Sequence, residues 1–368
     1  IGLDFSMMQG RISGALETYM NNTRDLLVEF PVPGTGYVSQ FRNLGETENK
    51  GVEATLNYIA LEREKYGVNV SFNIGMNRNQ IISLGAMENF GSNTNWASTE
   101  IGNDFLVEVG SPVGLLYGFL NDGRYEVSDF EGYDDTTDSW ILGAGVADAT
   151  EVVGALAPGL MKLKDITGDG IVNIEDQQII GNANPKHTGG FVLNGYAYGF
   201  DLTAAFSWSY GNDIYNANKI EYTSSTPRYQ YRNMSTLMAD GERWTNIDPS
   251  NGQLVTDPTA LAALNANTTM WSPYMARFVF SDWAVEDGSF LRLNTLSLGY
   301  TIPSSIVSKL KIQSLRLYAS AYNVFILTDY SGFDPEVSTR RRTNLTPGVD
   351  YSAYPRSRQL VFGLNLNF

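Results

Sequence analysis

Twelve residues, DITGDGIVNIED at Asp165–Asp176, carry the spacing of a calcium loop. Oxygen-bearing side chains stand at its first, third, fifth, ninth and twelfth positions: Asp165, Thr167, Asp169, Asn173 and Asp176. The Ile171 carbonyl takes the seventh position and Gly170 the sixth, where the chain must turn sharply to gather ligands around a cation that wants about six to eight oxygens. Thr167 and Asp176 replace stronger ligands at their positions and lower the ligand charge. An Asp/Gly-rich turn of the same appearance is the alternative. The flanks PGLMKLK and QQIIGNANP hold Pro158, Gly181 and Pro185, so no pair of long helices is available for a calcium sensor to open. The expected cofactor is one structural Ca2+ clamping a long surface loop.

Little else in the chain is equipped for catalysis. There is no cysteine and a single histidine, His187, which removes thiolate chemistry and most imidazole-based triads and zinc sites. His187, beside Pro185 and Thr188, reads as a loop residue. GxSxG, HExxH and phosphate-loop patterns are absent, and no carboxylate pair stands out as a glycosidase site, so no enzyme is expected. A formal charge of −15 is opposite in sign to what phosphate neutralisation requires, which argues against nucleic acid. Five loop aromatics, Trp96, Trp140, Tyr215, Trp244 and Trp271, have flat faces that suit substrate or partner contact, or else pack small loop cores. Arg340–Arg342 read either as a solvated cluster or as a contact for acidic partner surface or lipopolysaccharide phosphate.

The elements that must position these residues are strands. From Tyr66, the apolar residues Val68, Val70, Phe72, Ile74 and Met76 alternate with Gly67, Asn69, Ser71, Asn73, Gly75 and Asn77. The same rule runs from Phe200 through Phe206, Trp208 and Tyr210, and from Leu360 to Phe368. Such runs exceed the ~5–6 residues of a soluble strand and match the ~9–11 of a tilted membrane strand. Nine strands are expected, at 2–8, 11–27, 51–61, 66–78, 190–198, 200–211, 290–301, 314–325 and 358–368. Short connections would lie on one side and long ones on the other, notably 79–189 and 212–289, which is the asymmetry of an outer-membrane barrel. A parity shift between Leu293 and Leu296 predicts a bulge. Nine strands do not close alone, so the upstream part of the same barrel is an expected partner, with outer-membrane lipid outside it. The rival reading is a secreted calcium-stabilised β-sandwich or carbohydrate-binding module.

Several stretches carry a family resemblance: NKGVEATLNY, SYGNDIYN, DGSFLRLNTLSLGYTIP, YNVFILTDYSGFDPE and the closing YPRSRQLVFGLNLNF. In this order they resemble the C-terminal barrel portion of the SusC/RagA family of TonB-dependent outer-membrane receptors. The resemblance implies an all-β fold, the C-terminal part of a 22-stranded antiparallel transmembrane barrel over residues 1–368. It further implies import of oligosaccharides or oligopeptides for nutrient uptake, beneath a SusD-like surface lipoprotein, in the outer membrane of a Gram-negative bacterium of Bacteroidetes type. The plug and TonB box belong to an upstream region absent from this stretch, so TonB as a partner is implied by kinship alone. Phe368 resembles the aromatic terminus read by the barrel assembly machinery.

Overall fold

The computed structural model describes residues 1–31, 36, 39–97, 101–225, 232–339 and 344–368. Its main feature is one antiparallel sheet of nine strands: β1 (Gly2–Met7), β2 (Ile12–Pro31), β3 (Ser39–Glu62), β4 (Tyr66–Leu84), β5 (His187–Ala197), β6 (Phe200–Tyr210), β7 (Phe290–Thr301), β8 (Ser314–Thr328) and β9 (Gln359–Asn367). Each strand pairs with its sequence neighbour, and the sheet ends at β1 and β9 without closing on itself. The count and the open edges match the sequence expectation.

Alternation in sequence becomes a two-faced wall through the register. One row across eight strands reads Ile12, Tyr58, Val70, Leu193, Ala204, Leu296, Ala321, Leu360. The adjacent row, one residue along, reads Ser13, Asn57, Ser71, Val192, Ala205, Thr295, Tyr322, Gln359. Because successive side chains point to opposite faces, the first row lies on the apolar face and the second on the polar face. No second sheet covers the apolar face: Leu202 is 43% exposed, Leu298 50% and Phe362 79%. In water so broad an apolar surface would be untenable, whereas hydrocarbon solvates it. The chain is therefore a wall of a transmembrane antiparallel β-barrel, and the sandwich alternative falls. No helix among the described residues is long and apolar enough to cross a membrane.

The turns explain the sorting of connections. At β1–β2, Met8, Gln9 and Gly10 take φ of 54°, 58° and 85°, and at β5–β6 Tyr198 and Gly199 take 50° and 92°. Consecutive positive φ matches the right-handed twist of a hairpin and permits a very short connection. The segment from Glu62 to Tyr66 and the one-turn helix Ser304–Val307 with its flanks complete the short side. The expected bulge is present, with register shifts between Leu293 and Thr295 and between Ala205 and Phe206.

Three strands run further than the sequence indicated. β2, β3 and β4 have 20, 24 and 19 residues and rise past the apolar band as a polar ribbon on the loop side. Residues 39–50, expected as connection, are strand: Asn, Thr and Glu there are paired by the ladder even though apolar alternation has stopped. The long connections fold as well. They build a four-stranded sheet, a three-stranded sheet and two strand pairs, with helices Ala217–Thr223 and Pro258–Leu264, around two substantial apolar cores.

Candidate functional site

The polar face of the wall is lined by small and amide-bearing residues. Three tyrosines on it lie over a glycine of the adjacent strand. A Cβ at Gly51 would come within 2.2 Å of Tyr19 Cζ, at Gly67 within 2.5 Å of Tyr196 Cε1, and at Gly363 within 2.4 Å of Tyr318 Cζ. Glycine lets the ring settle on the backbone, which covers the ladder and keeps the phenol from projecting across the bore. Tyr19 Oη donates to Asn77 Oδ1 at 3.2 Å, and the side-chain amides of Asn77 and Asn79 both donate to Asn49 Oδ1 at 3.1 Å. Lower on this face Thr203 Oγ1 donates to Asn194 Oδ1 at 2.9 Å, and Arg316 holds Asp201 through two bonds of 2.8 and 2.6 Å.

Where this face meets the folded loops, a cavity of about 790 Å³ opens, lined by Tyr19, Glu53, Asn77, Asn79, Lys186 and Asp213 among others. Burial pushes the Asp213 carboxyl up, partly offset by the Asn182 N–H, which donates to its Oδ2 at 2.7 Å. The cavity thus offers amide donors and acceptors, two cations, Arg78 and Lys186, and several carboxylates, a set suited to a polar polymer fragment. The sequence reading did not nominate these residues. Asn77 alone carried a signal, as a member of the polar set of the alternating strand from Tyr66, and that set is silent on which members cluster.

The five nominated aromatics have a different role. Trp96 (7% exposed), Trp140 (9%), Tyr215 (0%), Trp244 (1%) and Trp271 (5%) are all buried in the loop cores, the packing role that the sequence left open beside substrate or partner contact. Trp96 Nε1 donates to Tyr215 Oη at 2.5 Å and stacks on Phe278, Trp244 carries the Arg124 guanidinium over its face, and Trp271 meets Trp283 edge-on. Loops of this length bury their own apolar surface, and the largest rings contribute most of it. An ion cluster around the buried pair Arg292 and Asp334 ties the last long connection to the wall: Arg292 of β7 pairs with Asp334 at 2.6 Å and with the partly exposed Glu336 at 2.9 Å, and Arg356 reaches the same two carboxylates. Asp104, 1% exposed, accepts from the backbone N–H and hydroxyl of Thr94, and burial pushes its carboxyl up to about 7.

The calcium-type loop is a compact turn in the larger loop. Asp165 accepts from the N–H groups of Gly168 and Gly170 at 2.6 and 2.8 Å, and Asp169 from that of Ile171 at 2.8 Å. Asp176 is fully buried and accepts from the N–H groups of Ile166, Thr167 and Asn173 at 2.8, 3.0 and 2.8 Å, and from the Thr167 hydroxyl at 3.2 Å. Burial pushes that carboxyl up, but the N–H groups together outweigh it and hold it below the usual range. The fit to a cation is partial: Asp165 and Asp176 each spend both oxygens on the chain, and Asn173 Oδ1 accepts from the Glu175 N–H at 2.7 Å. Among the described residues no group of three or more Asp, Glu or His side chains converges as a metal site.

His187 is the first residue of β5 rather than a loop residue; its Nδ1 accepts from Trp208 Nε1 at 3.0 Å. Trp208 stacks on Phe72 on the apolar face, as its strand parity required. Arg340–Arg342 lie outside the described residues.

A nine-stranded wall, apolar outside and polar inside, with short turns at one end and a folded loop body at the other, defines part of an outer-membrane barrel of the large, loop-capped class. No protein-family model matches the chain. Over its whole length it is 28% identical to TonB-dependent receptor P3 of Formosa agariphila and 26% identical to TonB-dependent receptor SusC of Bacteroides thetaiotaomicron, covering 33% and 31% of those proteins. It also superposes along its full length on 35% of a chain of the RagAB peptide importer in its closed-closed state, with a TM-score of 0.70 at 24% identity. The chain is an outer-membrane barrel portion similar over its whole length to TonB-dependent receptors, and it spans about a third of the length of the curated relatives it matches.

Proposed function

We propose that the chain forms the C-terminal wall and extracellular loop body of a 22-stranded receptor that imports oligosaccharides or oligopeptides across the outer membrane. The observation that carries this reading is the cavity of about 790 Å³ between the polar wall and the loop body, at the extracellular mouth of the bore. A fragment held there is poised above a face lined with Asn, Ser and flattened Tyr, which exchanges hydrogen bonds with amides or hydroxyls alike. Energy comes from TonB through an upstream plug, and a SusD-like surface lipoprotein closes over the loop body. Among the relatives, RagAB is a peptide importer, whereas the names of SusC and P3, TonB-dependent receptors, specify no polymer.

The test is uptake by a strain lacking the full-length receptor, supplied in parallel with labelled oligosaccharide and oligopeptide pools. Loss of one pool, restored by the wild-type gene and not by a variant with Lys186→Glu and Asn77→Asp, supports the reading and names the polymer. Unchanged uptake of both pools counts against it.

The same reading includes a structural Ca2+ on the turn at Asp165–Asp176, held by Asp165, Asp169, Asn173 and the Ile171 carbonyl. When bound, the ion would neutralise the clustered carboxylates and stiffen the exposed half of the turn. Chelation should then speed amide hydrogen exchange at residues 165–174 while leaving β5 and β6 protected. Identical exchange with and without chelator would leave the turn held by its own hydrogen bonds, through Asp165, Asp169 and Asp176.

A further inference from the structure

The outward face of β2, β3 and β4 carries a groove that shares Tyr19, Met76 and Arg78 with the cavity of the import reading and is otherwise separate from it. Met20, Lys50 and Arg78 form one row across the three strands, and Thr18, Val52 and Met76 form the outward row below it. These six residues, with Ile1, Tyr19 and Gly51, line this groove of about 730 Å³ on the side that faces lipid. Its floor is apolar and its loop-side end is cationic. Lys50 and Arg78 are direct cross-strand partners, an arrangement of like charges that costs stability unless an anion lies between them.

Their pairings sharpen this. Lys50 has one carboxylate beside it, Glu48, at 2.5 Å. Arg78 donates only to the backbone carbonyls of Asn77 and Lys186, at 3.0 and 3.1 Å, and has no carboxylate in ion-pair contact among the described residues. One positive charge is therefore left over after Glu48 is counted, on the residue best shaped to hold a phosphate. Both cations lie about 12 residues from the short-turn ends of their strands, just past the ~9–11 residues that cross the hydrocarbon. That is the depth of the outer-leaflet head groups. Above the groove the ribbon continues in polar residues, and below it the outward row Leu16, Ala54, Ile74 has a small residue at its centre, which extends the depression toward the bilayer interior.

We propose that this groove binds an anionic lipid of the outer leaflet, with its phosphate between Lys50 and Arg78 and an acyl chain along Met20, Val52 and Met76. An apolar trough headed by a cation pair recognises that combination, since a soluble anion gains nothing from the trough and a neutral lipid nothing from the cations.

The experiment uses the full-length receptor that carries this chain, reconstituted in lipid nanodiscs containing a phosphorylated lipid A fraction and released for native mass spectrometry. Three proteins are compared: wild type, the double variant Lys50→Gln with Arg78→Gln, and the charge-keeping exchange Lys50→Arg with Arg78→Lys. Heat-modifiable electrophoretic mobility confirms that each is a folded barrel. The expected result is phosphorylated lipid retained by wild type and by the exchange variant, and at least about tenfold less retained by the double Gln variant. Retention of a nonionic glycolipid of equal chain length should be the same for all three. Equal retention of phosphorylated lipid by wild type and the double Gln variant would overturn the proposal, as would its full displacement by millimolar inorganic phosphate, which would mark a bare anion site.

Discussion

The wall and the loop body solve the same hydrophobic problem in opposite ways. In the wall, Leu202, Leu298, Leu364 and Phe362 are left 43%, 50%, 60% and 79% exposed. In the loop body, Trp244, Tyr215 and Phe105 are 1%, 0% and 0% exposed. The wall is a single layer whose apolar side is completed by lipid, so its large residues need no protein partner, and its polar side chains bond laterally along the bore. The loop body stands in water and must bury its rings, so it folds like a small soluble domain with its own sheets and cores. Aromatic content is therefore no guide to ligand contact in this chain. The rings that looked most available in sequence are the most deeply buried, because length of loop creates the need for a core.

That contrast can be broken from either side. Trp244→Ala should cost the loop body about 3–5 kcal/mol, as for other buried rings, with Gly159 and Arg124 losing the ring they pack on. Limited proteolysis should then cleave within 212–289 while the wall keeps its heat-modifiable mobility. If wall and loops melted together, they would be one cooperative unit and the contrast would fail.

Within the wall, Leu193→Arg places a charge in lipid and should cost about 2–4 kcal/mol near the midplane, whereas Val192→Arg, one residue away and facing the bore, should be close to neutral. Urea unfolding of the reconstituted receptor measures both. Equal costs would mean that the two faces are not chemically distinct.

Gly51→Ala sharpens the account of the bore. A methyl group there meets the Tyr19 ring, so the phenol must lift off the backbone, at a cost of about 1–3 kcal/mol. Solute flux through a plug-deleted receptor should fall if the lifted ring narrows the passage, and an unchanged flux would show that the flattened ring does not set the bore.

The smallest effect expected is confined to the loop body. Asp104 has its carboxyl pushed up to about 7 from an ordinary value of 3.8, so the folded state binds a proton that the unfolded state has released. Stability from this group is therefore full below about pH 4 and declines as pH rises to about 7, by about 1–2 kcal/mol once local relaxation is allowed for. Asp104→Asn, which keeps Thr94 as a hydrogen-bond partner, should flatten that slope in thermal melts between pH 5 and 8. A slope that persisted would place the titrating group elsewhere.

How much of this was legible beforehand follows the physics of each region. A strand that faces lipid on one side and water on the other must alternate, and its ends must be turns, so Tyr66–Met76, Phe200–Tyr210 and Leu360–Phe368 announced the wall, its nine strands and even the bulge near Leu293. The polar ribbon at residues 39–50 was missed because strand pairing there is held by the ladder of β2 and β4, with no membrane to enforce a period. Asp165–Asp176 reads from its spacing as a calcium loop, with an Asp/Gly-rich turn as the alternative, and its twelfth residue turns inward: Asp176 serves the backbone of Ile166, Thr167 and Asn173, a choice made by local geometry that a ligand pattern does not encode.

The sequence by itself determined the wall, because alternation is a local property that the solvent on each face imposes residue by residue. Only the tertiary structure decided which polar residues gather at the cavity, that Tyr19, Tyr196 and Tyr318 lie flat over glycines, that the five loop aromatics are core, and that Lys50 and Arg78 share an outward groove. Those facts depend on register across strands and on contacts between residues a hundred positions apart, and no local pattern in the chain carries them.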